Sequence, residues 1–218
     1  MSRGLQEFLQ PTRLCDFHVC EAIVEIAVSL TGGCPDDIAR FYRLHDFVKE
    51  LPYGLEDWDV KASETLRKGW GMCCGKSNLL VALARSLSIP ARYSVFKIVS
   101  EHKLLGWMMG HDTELSGRLA DLPPEQDHVQ CEAYLDGWQL FDPSRDSRLE
   151  NGLRRLNVPL ERVPVVGRDG VPHFTKLSSI DEWAVRRQEN RRFRDDRQMV
   201  FARANVQLAW IRELAVAP

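Results

Sequence analysis

The sequence predicts an α+β protein in which helices come first, an antiparallel sheet follows, and a helical extension closes the chain. Three observations predict this. Apolar residues recur at helical spacing in three stretches before residue 88. Alternating stretches follow at 91–99, 128–135 and 138–142, the last two joined across Asp136-Gly137, a hairpin signal. The helical period then returns from Trp183 to Leu214. The expected organisation is a main unit over residues 1–175 and a helical extension over 176–218 packed on it.

Residues 1–13 form an arm in which Pro11 breaks any early helix. A first helix is expected from Asp16, a candidate N-cap, to Leu30, with Ala22, Ile23, Ile26 and Ala27 on one side. A second runs from Asp36-Asp37 to Glu50, with Ile38, Phe41, Tyr42, Phe47 and Val48 as its apolar side. Pro52 to Asp59 is irregular and carries Tyr53 and Trp58. His18 and His45 are expected as half-buried helix residues. The third helix runs from Cys73 to Leu87 and ends at Ser88-Ile89-Pro90, because proline disfavours helix in the residue before it.

Val99 to Gln126 is a long connection carrying His102, Trp107, Met108, Met109 and His111. Insertions of this length are often lids or binding loops, and this one is read as a lid or pocket wall, with an added piece of core as the alternative. Arg145 to Lys176 is expected as loops and short strands around Gly167-Arg168-Asp169-Gly170. Ser178 or Ser179 could cap the final helical region, whose arginines are read as an ion-paired face.

Composition narrows the function classes. The chain has 218 residues, 44% apolar and 28% charged, with net charge −2. Such a balance indicates no global field for nucleic acid or membrane. No apolar run of membrane-spanning length is present, and Met1–Glu7 lacks a signal-peptide pattern, so a cytoplasmic location is expected, with six reduced cysteines. Zinc on Cys15, His18 and Cys20 is a competing reading, but no paired Cys-x-x-Cys supports it. No cofactor is expected. Gly71–Ser77 ends in Gly-Lys-Ser, but a phosphate loop would need glycine where Trp70 stands.

The chemistry concentrates at Gly69-Trp70-Gly71-Met72-Cys73-Cys74-Gly75-Lys76-Ser77. A glycine turn passes into a helix at Cys73, where unpaired N–H groups and the helix dipole favour an anion. A thiol is nucleophilic only as thiolate, and a helix start favours that form. Cys74 is the adjacent rival, and the spacing from Gly69 and Gly71 favours Cys73. His128 opens one strand of the hairpin and Asp142 ends the other. Nucleophile, base and orienting carboxylate, in the order Cys, His, Asp, follow the logic of a papain-like triad. Parity then makes a structural demand. A two-residue turn would set Asp142 opposite Cys131, on the face away from His128. A triad therefore requires a three-residue loop or a bulge at 135–138, pairing Asp142 with Gln130 or Glu132.

Ala62–Arg67 leading into Gly69-x-Gly71-x-Cys73, then Leu83–Tyr93, His128-x-x-x-Glu132, Gly137-Trp138 and Asp142-Pro143 together resemble the transglutaminase-like superfamily, from about Asp36 to Ser144. The resemblance implies a papain-like core with catalytic Cys73, His128 and Asp142. It departs at Gln130, where the family usually has an aromatic residue, and at Ser77, often alanine. It also implies an upstream oxyanion side chain, for which Trp58 and Tyr53 are the candidates, with hydrophobic cover as the alternative. Trp58, Trp70, Trp107, Gln130 and Glu132 are the candidate substrate-binding residues, Glu132 either for a substrate amine or as a structural carboxylate. The expected activity is acyl-enzyme chemistry on an amide or ester, releasing to water or to an amine. The alternatives are a non-catalytic module of the same fold and a metal or redox protein built on Cys15, Cys20, Cys73 and Cys74.

Overall fold

A computed structural model describes residues 3–99, 125–189 and 197–216. Helices α1 (Glu21–Thr31), α2 (Asp37–Glu50), α3 (Ala62–Lys68) and α4 (Cys73–Ser86) precede strands β1 (Ala91–Val99), β2 (Glu125–Tyr134) and β3 (Trp138–Phe141). Helix α5 (Ser147–Arg155), strand β4 (Thr175–Leu177) and helices α6 (Asp181–Glu189) and α7 (Arg197–Leu214) follow. The strands form an antiparallel sheet in the order β3-β2-β1-β4. The fold is α+β, with helices packed on this sheet, as the sequence predicts.

Helix α4 is the axis of the molecule. Every residue from Cys73 to Arg85 is buried. Leu79, Leu80, Val81, Ala82, Leu83 and Ala84 run apolar around its circumference, which suits a helix enclosed on all sides. It packs on β1 and β2 and against α1, α2 and α3. Its polar residues are buried with partners, as burial of polar groups requires. Ser77 donates to the Val129 carbonyl at 3.0 Å. Asn78 donates to the carbonyls of Leu14 and Val60 and accepts from the Tyr93 hydroxyl. Arg85 ties Gln10, Ala91 and Ser178 to the helix end. Truncating Leu83, fully buried here, to alanine should cost about 2–5 kcal/mol.

Four local expectations need correction. Asp16 does not cap α1, which begins at Glu21 after a short 3-10 turn at Phe17–Val19. Its carboxylate instead accepts from the Ser63 N–H and hydroxyl, 47 residues away, a long-range partner that capping preference cannot show. His18 is exposed on that turn. Residues 147–155 are helical rather than loop and strand. Asp146 caps α5 by accepting from the Leu149 N–H at 2.9 Å, and Leu149, Gly152 and Leu153 form its buried face. Finally, β2 begins at Glu125, so the strand reaches into what the sequence assigns to the long connection. The remainder of that connection, with His102, Trp107 and His111, lies outside the described residues.

The described part of the C-terminal region holds α6 and α7. Val200, Ala204, Leu208 and Ile211 are the buried face of α7, which packs on α5, Tyr53 and Leu55. Asp181, at the start of α6, accepts from Thr12, Arg13 and Leu14, which ties α6 to the N-terminal arm. No described helix is long and apolar enough to cross a membrane.

Candidate active site

The hairpin meets the parity demand. Tyr134 pairs with Trp138 and Cys131 with Phe141, so Leu135, Asp136 and Gly137 form a three-residue loop. Gly137 lies at φ 136° and Asp136 at φ 54°. The former is open to glycine alone, the latter tolerated by aspartate. Continuing the ladder by one pair sets Asp142 across from Gln130, on the same strand face as His128.

The side chains follow. His128 Nε2 lies 3.0 Å from Asp142 Oδ2. A hydrogen bond to Cys73 is among the causes that raise the imidazole's pKa. Cys73 is 4% exposed and His128 3%. The imidazole is also fixed edge-on against Phe96, ring centres 5.3 Å apart. Asp142 Oδ1 accepts from the Ser144 N–H at 3.0 Å. Burial alone would push the Asp142 carboxyl up. The charges of His128 and Arg162 more than reverse this and hold it well below the usual carboxylate range. Burial likewise pulls His128 down, and Arg162 adds to that. Asp142 and the hydrogen bonds to Asp142 and Cys73 prevail, so the imidazole is more basic than usual.

Cys73 opens α4. The adjacent Cys74, and Cys131 and Cys15 elsewhere in the core, are buried thiols, and burial is the largest cause that raises each of them, Cys15 to about 11. Cys74 also points its sulfur at the Trp58 carbonyl, 3.2 Å away. Of the adjacent pair, Cys73 is therefore the one facing the imidazole, and Cys74 is held as a thiol in packing.

Three further residues complete the site, and the sequence reading named none of them for it. Arg162 donates to Asp142 Oδ2, the oxygen that also faces His128. It lies in the segment read as loop, and nothing in its neighbours points to position 142. Lys76, fully buried, donates to the carbonyls of Lys49, Leu51 and Ser144 at 3.0, 2.6 and 2.9 Å. It thus ties the nucleophile helix to the end of α2 and to the segment just beyond Asp142. Glu56 accepts from the Met72 N–H at 2.8 Å and pairs with Lys68. Burial raises its pKa against the opposing pull of Lys68 and that N–H. A Cβ on Gly75 would meet Glu56 Oε1 at 2.5 Å, so glycine is what lets the carboxylate reach the helix start. The Gly75-Lys76 dipeptide thus serves packing and tethering at the helix start.

The candidate substrate residues separate. Trp58 stacks edge-on against Trp183, with Arg187 over its ring. Trp70 covers Gly54 and lies under Lys68. Glu132 is held by Arg92 at 2.7 Å and by Lys176. Each of these three is engaged by partners outside the triad. Gln130 differs: its Oε1 is buried and has no hydrogen-bond partner among the described residues. Trp107 lies outside the described residues. Among the described residues, no group of three His, Cys, Asp or Glu is placed to hold a metal ion.

Helix start, buried thiol, imidazole and carboxylate on antiparallel strands define a papain-like arrangement, and sequence comparison places it in a family. The Transglutaminase-like superfamily matches residues 24–143, more than half of the chain and inclusive of Cys73, His128 and Asp142. The chain belongs to that superfamily. No curated protein matches it in sequence. Among solved structures, it is similar to the "Putative Cysteine Protease from Cytophaga hutchinsonii", with 22% identity and a TM-score of 0.50. The similarity covers 80% of this chain and 52% of that one, so the chain spans about half of the neighbour's length. At this identity the likeness speaks to the fold.

Proposed function

We propose that the protein is a thiol-dependent enzyme that forms an acyl-enzyme on Cys73 from an amide or ester. The observation that carries this is the hydrogen-bonded pair of His128 Nε2 and Asp142 Oδ2, 3.0 Å apart, with Cys73 buried at the first turn of the helix that packs on the same sheet. A hydrogen bond to Cys73 is among the causes that make the imidazole more basic. In the proposed reaction the Cys73 proton passes to His128, and the thiolate attacks the carbonyl carbon. The resulting oxyanion lies toward the N–H groups of the helix start. His128 then gives the proton to the leaving nitrogen or oxygen, and the C–N or C–O bond breaks to leave a thioester. Water, or an amine, attacks the thioester with His128 as base and regenerates the thiol. Asp142 holds the imidazole in one tautomer and stabilises its protonated form.

Gln130 is proposed to accept a hydrogen bond from a substrate N–H. A buried, unpartnered carbonyl oxygen costs about 1–3 kcal/mol, which a donor on the substrate would recover.

The test is intact-mass analysis of the full chain after brief exposure to a p-nitrophenyl ester and to glutamine- or asparagine-containing peptides, with and without added alkylamine. An acyl adduct on Cys73, absent in Cys73→Ala, is the expected result. Amide formation with the alkylamine would assign amine transfer, and free acid alone hydrolysis. No adduct with any donor, alongside normal folding, would favour a non-catalytic module.

A further inference from the structure

The nucleophile turn is supported from the far end of the chain. Helix α7 lies beyond the family match. Three of its side chains grip the strip 53–57, two by its backbone and one by a side chain. Arg212 donates to the Tyr53 carbonyl at 2.6 Å. Asn205 accepts from the Leu55 N–H at 2.7 Å and donates to the Leu55 carbonyl at 3.0 Å. Arg197 pairs with the Asp57 carboxylate, Nε to Oδ1 at 2.6 Å and Nη2 to Oδ2 at 2.8 Å. Positions 197, 205 and 212 are spaced by close to two helical turns each, so they form one stripe of α7.

The other edge of the strip is joined to the turn before Cys73. Gly54 N–H donates to the Gly71 carbonyl, and Gly71 N–H to the Pro52 carbonyl, each at 3.1 Å. Glu56, in the middle of the strip, reaches over the Gly71 and Gly75 Cα atoms to the Met72 N–H. The strip is thus clamped between α7 and the start of α4.

We propose that α7 is a positioning element of the active site. Through Asn205, Arg197 and Arg212 it fixes the 53–57 strip, and through Glu56 the strip fixes the Met72–Cys73 turn. Glu56 is a positioning residue here, not a catalytic one. It occupies the Met72 N–H and shapes the turn, so that the N–H groups following it remain available where the oxyanion forms. Lys68 neutralises its charge, which would otherwise oppose a thiolate one residue on from the amide it binds. This inference rests on the reading of Cys73 as the nucleophile.

The test compares full-length wild type with Asn205→Ala, Glu56→Ala, Glu56→Gln and the double variant Asn205→Ala/Glu56→Ala. Two quantities are read: the iodoacetamide labelling rate of Cys73 by peptide mass, well below each variant's melting temperature, and the melting temperature itself. Asn205→Ala and Glu56→Ala should each slow Cys73 labelling about tenfold, the change that loss of one strong positioning hydrogen bond can produce. Glu56→Gln keeps an oxygen acceptor for the Met72 N–H and should recover most of the rate lost in Glu56→Ala. The double variant should be no slower than Glu56→Ala, because both act along one route.

Wild-type labelling in Asn205→Ala despite a lowered melting temperature would overturn the proposal, showing α7 to be packing alone. So would a Glu56→Gln variant as slow as Glu56→Ala. If Asn205→Ala fails to fold, Asn205→Asp replaces it, keeping the acceptor for the Leu55 N–H and removing the donor. A different outcome would separate the underlying reading. Wild-type Cys73 labelling no faster than Cys20 or Cys34 would remove the nucleophile assignment, and the need for a positioning element with it.

Discussion

Replacing Lys76 by methionine gives a prediction whose size follows from the structure. The ammonium is buried against three carbonyls three residues after Cys73. Burial is the main cause that lowers its pKa from 10.5 to about 7, with Lys49 and Arg212 adding to it and Asp146 and Asp142 opposing. Below pH 7 the folded and unfolded chains both hold the proton. Between about pH 7 and 10.5 only the unfolded chain does. Unfolding then takes up a proton, so this residue makes the folded state more stable as pH rises, by about 1.4 kcal/mol per pH unit. Over the whole window the change is about 5 kcal/mol. Urea unfolding of wild type and Lys76→Met, at intervals from pH 6 to 10, isolates it. The stability of wild type relative to the variant should climb through this window. A difference that stays flat would refute the reasoning and mean that the three carbonyls hold the ammonium at an ordinary pKa. Because one tether ends on Ser144, the variant should also label more slowly at Cys73.

Other outcomes follow from the same geometry. Arg162→Met removes a charge-assisted hydrogen bond to Asp142 and should lower stability by about 1.5–3 kcal/mol in urea unfolding. It should also move the alkaline limb of a kcat/KM–pH profile upward, since the guanidinium no longer opposes the charge on His128. Gly75→Ala would drive a methyl into Glu56 and the Thr65 hydroxyl; a loss of about 1–3 kcal/mol and slower Cys73 labelling are expected from thermal melts and alkylation. The His128–Asp142 pair has a defined pH window. Asp142 is depressed, so its contribution is full above the ordinary 3.8 and is lost as pH falls through its folded value. His128 is raised, so its contribution is full below the ordinary 6.5 and is lost as pH rises through its folded value. Asp142→Asn should flatten both edges in a stability-versus-pH series.

What was legible in the sequence was whatever depends on near neighbours. Cys73 at a helix start, the β1 strand and the break at Ser88–Pro90 all follow from local periodicity and turn residues. The loop of Leu135, Asp136 and Gly137 was reached differently, by requiring His128 and Asp142 to share a face, and the observed register satisfies it. What escaped depends on partners far along the chain. Asp16 has the right residue type for a cap, but Ser63 outcompetes the helix for its carboxylate. Helix α5 is short, and its buried face at Gly152 and Leu153 packs against α7, a contact no window of sequence contains. A Cβ on Gly152 would meet the Ile211 carbonyl at 2.0 Å, so the glycine that weakens the helical signal is what allows the packing. Arg162, Lys76 and Glu56 are ordinary charged residues in sequence and become part of the site only through hydrogen bonds spanning 16 to 68 residues.

The central claim is that His128 arms Cys73, and limiting iodoacetamide labelling across pH 5 to 9, on wild type and His128→Ala, tests it most directly. Rapid single labelling at Cys73 already at pH 6, and marked slowing in His128→Ala, is the predicted result. Labelling spread over several cysteines, rising only near the ordinary thiol range of about 8.5 and indifferent to His128, would contradict it.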